Sequence, residues 1–261
     1  MTLRILQISD CHLSPEPAGL FRGIDPLLHL QAVTADAQRR FAPVDLLLLT
    51  GDLTHHAEPG AYRRLLHSVE GLAHRRHWLP GNHDVAASMQ AVEALEPTLG
   101  CKQIDTPHWR ILLLDSTHAP DGRGGGSLAP AELDWLQQQL NDAGQRWVFI
   151  VLHHNPVALG SAWQDAIMLG NAAAFWARVE ACPQVRGIAF GHVHQQQLLL
   201  RGQVQLFAAP STAVQFEAGC ADFKLESDPA LARPGYRYYE LADDGHIEAQ
   251  LCRIKVPDCV G

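Results

Sequence analysis

The sequence predicts an α/β (α+β) fold, a four-layer α/β/β/α sandwich of two mixed sheets with flanking helices and a metal site at the C-terminal ends of the strands. Three observations carry this. Short apolar runs alternate with helical patterns as far as Gly191, the texture then changes to short strands and turns, and no G-x-G-x-x-G follows the first run, which removes a dinucleotide-binding arrangement.

The elements follow in order. Arg4–Ile8, Leu46–Thr50, His77–Leu79, Ile111–Asp115, Trp147–Leu152 and Gly187–Phe190 read as buried strands, rich in Leu, Ile, Val or an aromatic and ended by a polar residue or Gly. Pro26–Phe41 reads as a helix opened by Pro, with Leu28, Val33 and Ala37 on its inner face. Pro130–Leu140 reads as another, with Leu133, Leu136 and Leu140 at helical spacing. Beyond Gly191, Gln197–Arg201, Gln205–Ala208, Tyr236–Leu241 and Ile247–Cys252 read as an antiparallel half, punctuated by Arg201-Gly202 and Asp244-Gly245. The run Gln195-Gln196-Gln197 starts a strand, and Arg123-Gly124-Gly125-Gly126 is a flexible loop rather than a linker. A single domain spanning residues 1–261 is expected.

Composition bounds the function. With 20 Lys and Arg against 28 Asp and Glu the net charge is −8, and no basic stripe offers a nucleic-acid or membrane footprint. The N-terminal apolar stretch breaks at Ser9-Asp10, too short for a signal peptide or a span, so a cytoplasmic location is expected. Cys11, Cys101, Cys182, Cys220, Cys252 and Cys259 show no C-x-x-C pair and read as reduced thiols. The oligomeric state is left open, a homodimer included.

Fifteen histidines are the outlying feature. Asp10-Cys11-His12, Gly51-Asp52, Gly81-Asn82-His83-Asp84, His153-His154 and Gly191-His192-Val193-His194 each end a predicted strand. One Asp-x-His at a strand end is more often a turn or cap, but five such clusters deliver carboxylate, amide and imidazole to one rim, where open α/β sheets bind ligands. Such donors without thiolate suit Fe, Mn, Zn or Co, so Cys11 is not assigned as a ligand. Two ions sharing a carboxylate can neutralise the attacking and leaving oxygens of a phosphoryl transfer.

At these residues the chain resembles the calcineurin-like metallophosphoesterase superfamily, from residue 4 to about residue 252. The resemblance implies two divalent or trivalent ions per chain, Fe or Mn favoured, Zn or Co as alternatives. One would be held by Asp10, His12, Asp52 and His194, the other by Asp52, Asn82, His153 and His192, with Asp52 bridging. A metal-bridging hydroxide would attack phosphorus. His83 would lie beside the phosphate without binding metal, as charge stabiliser or acid, and His154 would line the pocket. The substrate side would thus include His12, Asn82, His83, His154 and His194.

A narrower resemblance concerns the substrate. Gly160–Asp165, Leu169–Ala172, Pro210–Phe216 and Pro234–Arg237 look like segments of the bacterial class III 3′,5′-cyclic-AMP phosphodiesterases. That implies hydrolysis of 3′,5′-cyclic AMP to 5′-AMP, a small-molecule partner, and Asn171 as a polar contact to the nucleoside. Three positions depart from that family: Gly170 replaces a frequent Arg, Asn155 a second Pro or a His, and His55 an acidic or amide residue, which affects how His83 is oriented. Broader phosphodiester or phosphomonoester hydrolysis is the alternative, and a non-catalytic metal-binding scaffold the distant one.

The remaining residues receive ordinary readings. His55, His56, His67, His74, His77, His108, His118 and His246 read as surface or capping residues, and Trp109, Trp147 and Trp176 as core. Trp163 divides evenly between packing beneath its loop and stacking on a base.

Overall fold

The computed structural model describes residues 2–256, leaving Met1 and residues 257–261, Cys259 among them, outside the described residues. The strands are β1 (Leu3–Ile8), β2 (Val44–Thr50), β3 (Ala73–Leu79), β4 (Gln103–Asp105), β5 (Trp109–Leu114), β6 (Trp147–Leu152), β7 (Val185–Phe190), β8 (Gln197–Arg201), β9 (Val204–Ala208), β10 (Gly235–Leu241) and β11 (Ile247–Arg253). The helices are α1 (Pro26–Arg40), α2 (Pro59–Ser68), α3 (Ala86–Glu93), α4 (Pro130–Asn141), α5 (Ala162–Asp165) and α6 (Ala172–Val179). One sheet runs β11-β10-β1-β2-β3, the other β4-β5-β6-β7-β9-β8.

The central strands β2 and β6 are apolar on both faces because both faces are covered. In β2, Leu46 and Leu48 meet the opposite sheet while Leu47 and Leu49 meet the helical layer. In β6, Phe149 and Val151 face inward and Val148, Ile150 and Leu152 face out under α4 and α6. The alternation of period two therefore builds three apolar layers, and the four-layer sandwich follows.

The C-terminal half is not a separate antiparallel sheet. β9 runs parallel to β7, and only its hairpin partner β8 is antiparallel. β10 and β11 cross back to the first sheet, where β10 lies antiparallel to β1. Sequence texture marks strand length and turns but not which sheet a strand joins. The short elements α2, α3, α5, α6 and β4 were not expected either, since several are too short to show a full period.

A buried polar link sets the sheets against each other beneath the site. Gln7 on β1 donates to Thr50 Oγ1 on β2 at 3.0 Å and to the Phe190 carbonyl on β7 at 3.2 Å. Its own carbonyl oxygen accepts from the Tyr239 hydroxyl at 2.6 Å. The amide is satisfied from three strands, so sliding one sheet over the other would strand buried polar atoms.

Candidate active site

The five motifs converge at one rim, three from the first sheet and two from the second. Asp10 and His12 follow β1, Asp52 follows β2, Asn82 and His83 follow β3, His153 and His154 follow β6, and His192 and His194 follow β7. Asp10, His12, Asp52, His192 and His194 all have left-handed backbones, with φ between 47° and 69°. Such a conformation is costly for a residue with a Cβ and persists only where its surroundings hold it. Here Asp10 N–H donates to the Gly51 carbonyl at 3.0 Å and His12 N–H to the Asp52 carbonyl at 2.9 Å. The His192 N–H donates to the Asp10 carboxylate at 3.0 Å and the His83 N–H to Asp52 Oδ1 at 2.8 Å.

Two of the motif glycines are explained by crowding. A Cβ on Gly81 would collide with the backbone nitrogen of Asp52, and one on Gly191 with Ser9 Oγ and the Asp10 carboxylate.

Hydrogen bonds outside the cluster orient the imidazoles. His194 Nδ1 donates to the Val214 carbonyl at 2.7 Å and His153 Nδ1 to the Thr50 carbonyl at 3.0 Å, so each turns a bare Nε2 inward. His192 does the reverse, donating Nε2 to the Ile167 carbonyl at 3.2 Å and leaving Nδ1 for the centre. His194 Nε2 lies 3.4 Å from Asp10 Oδ1 and only 3.0 Å from His12 Nε2. His153 Nε2 lies 3.4 Å from Asp52 Oδ2 and 3.2 Å from Asn82 Oδ1.

Besides a trio of His12, His55 and His83, these side chains form two groups that could hold cations, Asp10 with His12, Asp52 and His194, and Asp52 with His153 and His192. Asp52 belongs to both. The fit to a pair of metal ions rests on the donors themselves: imidazole nitrogens face one another and two carboxylates at near contact. Burial opposes the charge on Asp52, but His153 and then His12 override it and hold the carboxyl well below its ordinary range. Burial likewise works against protonated His153, yet Asp52 raises it to about 9. Burial pushes His12 and His192 well down, with neighbouring imidazoles adding to it. Cys11 is buried and raised to about 12 chiefly by desolvation, so it remains a thiol.

Beside this centre lies a cavity of about 220 Å³, with His12, Asp52, Asn82, His83, His192 and His194 in its wall. His83 Nδ1 is 3.2 Å from His56 Nε2, and the His55 ring stacks on His83 at 4.6 Å. His55 is half-buried rather than at the surface expected and comes up against His83, at the position where the narrower family carries an acid or amide, while His56 is exposed as expected although its ring reaches His83. Burial first, then neighbouring His83, lowers His55 to about 4. His77 is also buried, with both ring nitrogens unpartnered, in place of the expected surface position.

Two expected substrate residues stand elsewhere. His154 pairs Nδ1 with Ser116 Oγ at 2.8 Å and donates Nε2 to the Gly124 carbonyl at 3.0 Å, which ties the glycine loop to β6. Asn171 accepts from Leu128 N–H at 3.0 Å and donates to the Leu128 carbonyl at 2.8 Å. Its side chain faces a separate cleft of about 590 Å³ with Asp134 and Arg178. Both are spent on holding chain segments. Trp109 and Trp176 are core as expected, Trp147 is only partly covered, and Trp163 lines the cavity. Sequence reasoning missed Phe21, Arg22, Arg123 and Phe223, which line the same cavity and belong to no motif.

Comparisons with known proteins agree with this geometry. The sequence profile described as calcineurin-like phosphoesterase matches residues 3–196. The 3′,5′-cyclic adenosine monophosphate phosphodiesterase CpdA of Pseudomonas aeruginosa is 37% identical over 96% of this chain and 89% of its own. The protein of the same name from Escherichia coli strain K12 is 34% identical over 97% and 90%. Among solved structures, a dimetal phosphatase from Danio rerio superposes with a TM-score of 0.63 at 14% identity, over 97% of this chain and 99% of the other, a likeness of fold.

Proposed function

The chain belongs to the calcineurin-like phosphoesterase family, and from that premise we propose that it is a metal-dependent phosphodiesterase that hydrolyses 3′,5′-cyclic AMP to 5′-AMP. One observation carries the proposal: the two donor groups share Asp52. In this reading Asp10, His12, Asp52 and His194 hold one ion and Asp52, Asn82, His153 and His192 the other. When bound, the pair supplies Lewis acidity for water activation and for neutralising charge on the phosphoryl oxygens.

The protein's own residues do the rest. The short bonds from His194 to Val214 and from His153 to Thr50 hold the imidazoles in place before substrate arrives, so no reorganisation is needed at the moment of reaction. His83 has Nδ1 turned to His56, which leaves Nε2 for the substrate. Water's oxygen forms the new bond to phosphorus as the bond to the 3′ oxygen breaks; His83 Nε2 delivers a proton to that departing oxygen, and the proton that the water gives up replaces it through solvent. Buried walls around Asp52 and His153 restrict bulk water.

No described helix is long and apolar enough to cross a membrane, and a small-molecule substrate in the cytoplasm suits the proposal. The ions we favour are Fe or Mn, with Zn or Co as substitutes. The test is hydrolysis of cyclic AMP by metal-reconstituted protein, followed by phosphorus NMR. The expected product is 5′-AMP. Cleavage of bis(p-nitrophenyl) phosphate with no cyclic-AMP hydrolysis under any of the four metals would refute the cyclic-nucleotide reading and leave the family untouched.

A further inference from the structure

A wall of aromatic rings runs outward from the metal-site histidines. Phe21 stacks on His12, with centroids 4.2 Å apart and planes 5° from parallel, and Phe216 stacks on His194 at 4.1 Å and 11°. Both phenyl rings are buried, so they are fixed. Phe223 continues the wall, edge-on to Phe216 at 5.2 Å and to Trp163 at 5.4 Å, and all four rings line the same cavity as Asp52 and His83.

Phe223 differs from its neighbours in being 43% exposed. The ring stands at the mouth of a polar site on a built turn. The turn is built: Phe216 bridges Leu225, Glu217 N–H donates to the Lys224 carbonyl at 2.9 Å, and the side chains of Lys224 and Glu217 pair at 2.7 Å. Opposite it, Phe21 and Ile24 exchange backbone hydrogen bonds at 2.9 and 3.1 Å around Arg22 and Gly23. Both turn residues have positive φ, 48° and 86°, a conformation that favours Gly or Asn, yet an Arg occupies the first place. Its guanidinium carbon lies 4.4 Å from the Phe223 centroid.

We propose that Phe21, Arg22, Trp163, Phe216 and Phe223 form a subsite for the purine base of the substrate, in which the face of Phe223 turned away from Arg22 is the stacking surface and the Arg22 guanidinium backs the ring. The proposal rests on the cyclic-nucleotide reading above. A planar, electron-rich base matches a phenyl face flanked by a guanidinium, whereas glycerol or a bare phosphate has no surface to offer four aromatic rings. The Trp163 ring packs edge-on against Phe216 and Phe223 and holds them in this wall.

The experiment compares cyclic AMP with the 3′,5′-cyclic phosphate of methyl riboside, which keeps the sugar and phosphate and lacks the base. Wild type, Phe223→Ala and Phe223→Tyr are assayed with the same metals bound. Phe223→Ala is expected to raise KM for cyclic AMP about 5- to 150-fold with kcat retained, the range for losing one base-stacking ring. The base-free compound should show no change, and Phe223→Tyr, which keeps a ring face, should retain the wild-type KM. An unchanged KM for cyclic AMP in Phe223→Ala, or an equal rise for both compounds, would overturn the subsite while leaving cyclic-AMP hydrolysis intact. A wild type that hydrolyses neither compound would overturn the reading beneath it as well.

Discussion

At the inner rim, Asp10, His12, Asp52, His192 and His194 hang from strand ends in left-handed backbone, buried and held by bonds to neighbouring carbonyls and carboxylates. At the mouth, Arg22 and Phe223 sit on short turns and stay exposed, with contacts mostly to each other and to other rings. The rim spends conformational energy on position because its donor atoms must converge from five strands. The mouth needs only a surface, so a ring with freedom to adjust suffices. Chemistry and selection should then fail separately when each is damaged.

The largest separation is expected at His83, which lies in the cavity wall but in neither of the two groups that share Asp52. His83→Ala should lower kcat by about 10²–10⁴ with both metal equivalents retained, the range for a lost acid or charge stabiliser. Elemental analysis alongside rate measurement checks it. Loss of a metal equivalent would make His83 a ligand and blur the line between the two functions at the rim.

A smaller effect is expected at Asn171. Its two bonds to Leu128 tie the start of α6 to the segment before α4, away from the cavity. Asn171→Ala should therefore cost roughly 1–3 kcal/mol of stability by leaving Leu128 unpaired, with KM for cyclic AMP near wild type. Thermal or urea unfolding measures the first and steady-state kinetics the second. A large rise in KM without loss of stability would return Asn171 to the substrate and move the mouth to a different face.

What the sequence disclosed follows the same division. Asp10, His12, Asp52, Asn82, His153, His192 and His194 were readable because each stands directly after an apolar strand, and strand ends share an edge. The central strands showed through runs of Leu, Ile and Val, a consequence of burial on both faces, whereas only the buried end of β3 was legible. The parallel placement of β9 beside β7 was not readable, since pairing depends on a crossover that composition does not encode. Phe21, Arg22 and Phe223 escaped because an isolated Phe or Arg in a loop carries no period or spacing; only the stacking of Phe21 on His12 and Phe216 on His194 joins them to the centre. His56 escaped for a similar reason, reaching His83 through a left-handed turn of its own.

The shared carboxylate is the most direct point of attack on the whole account. Asp52→Ala and His192→Ala, each checked for native circular dichroism, should be reconstituted with Mn and their metal content per chain determined. Because Asp52 belongs to both donor groups and His192 to one, Asp52→Ala should lose both equivalents and His192→Ala should lose chiefly one. Two equivalents retained in folded Asp52→Ala would contradict a centre built on a single bridging carboxylate.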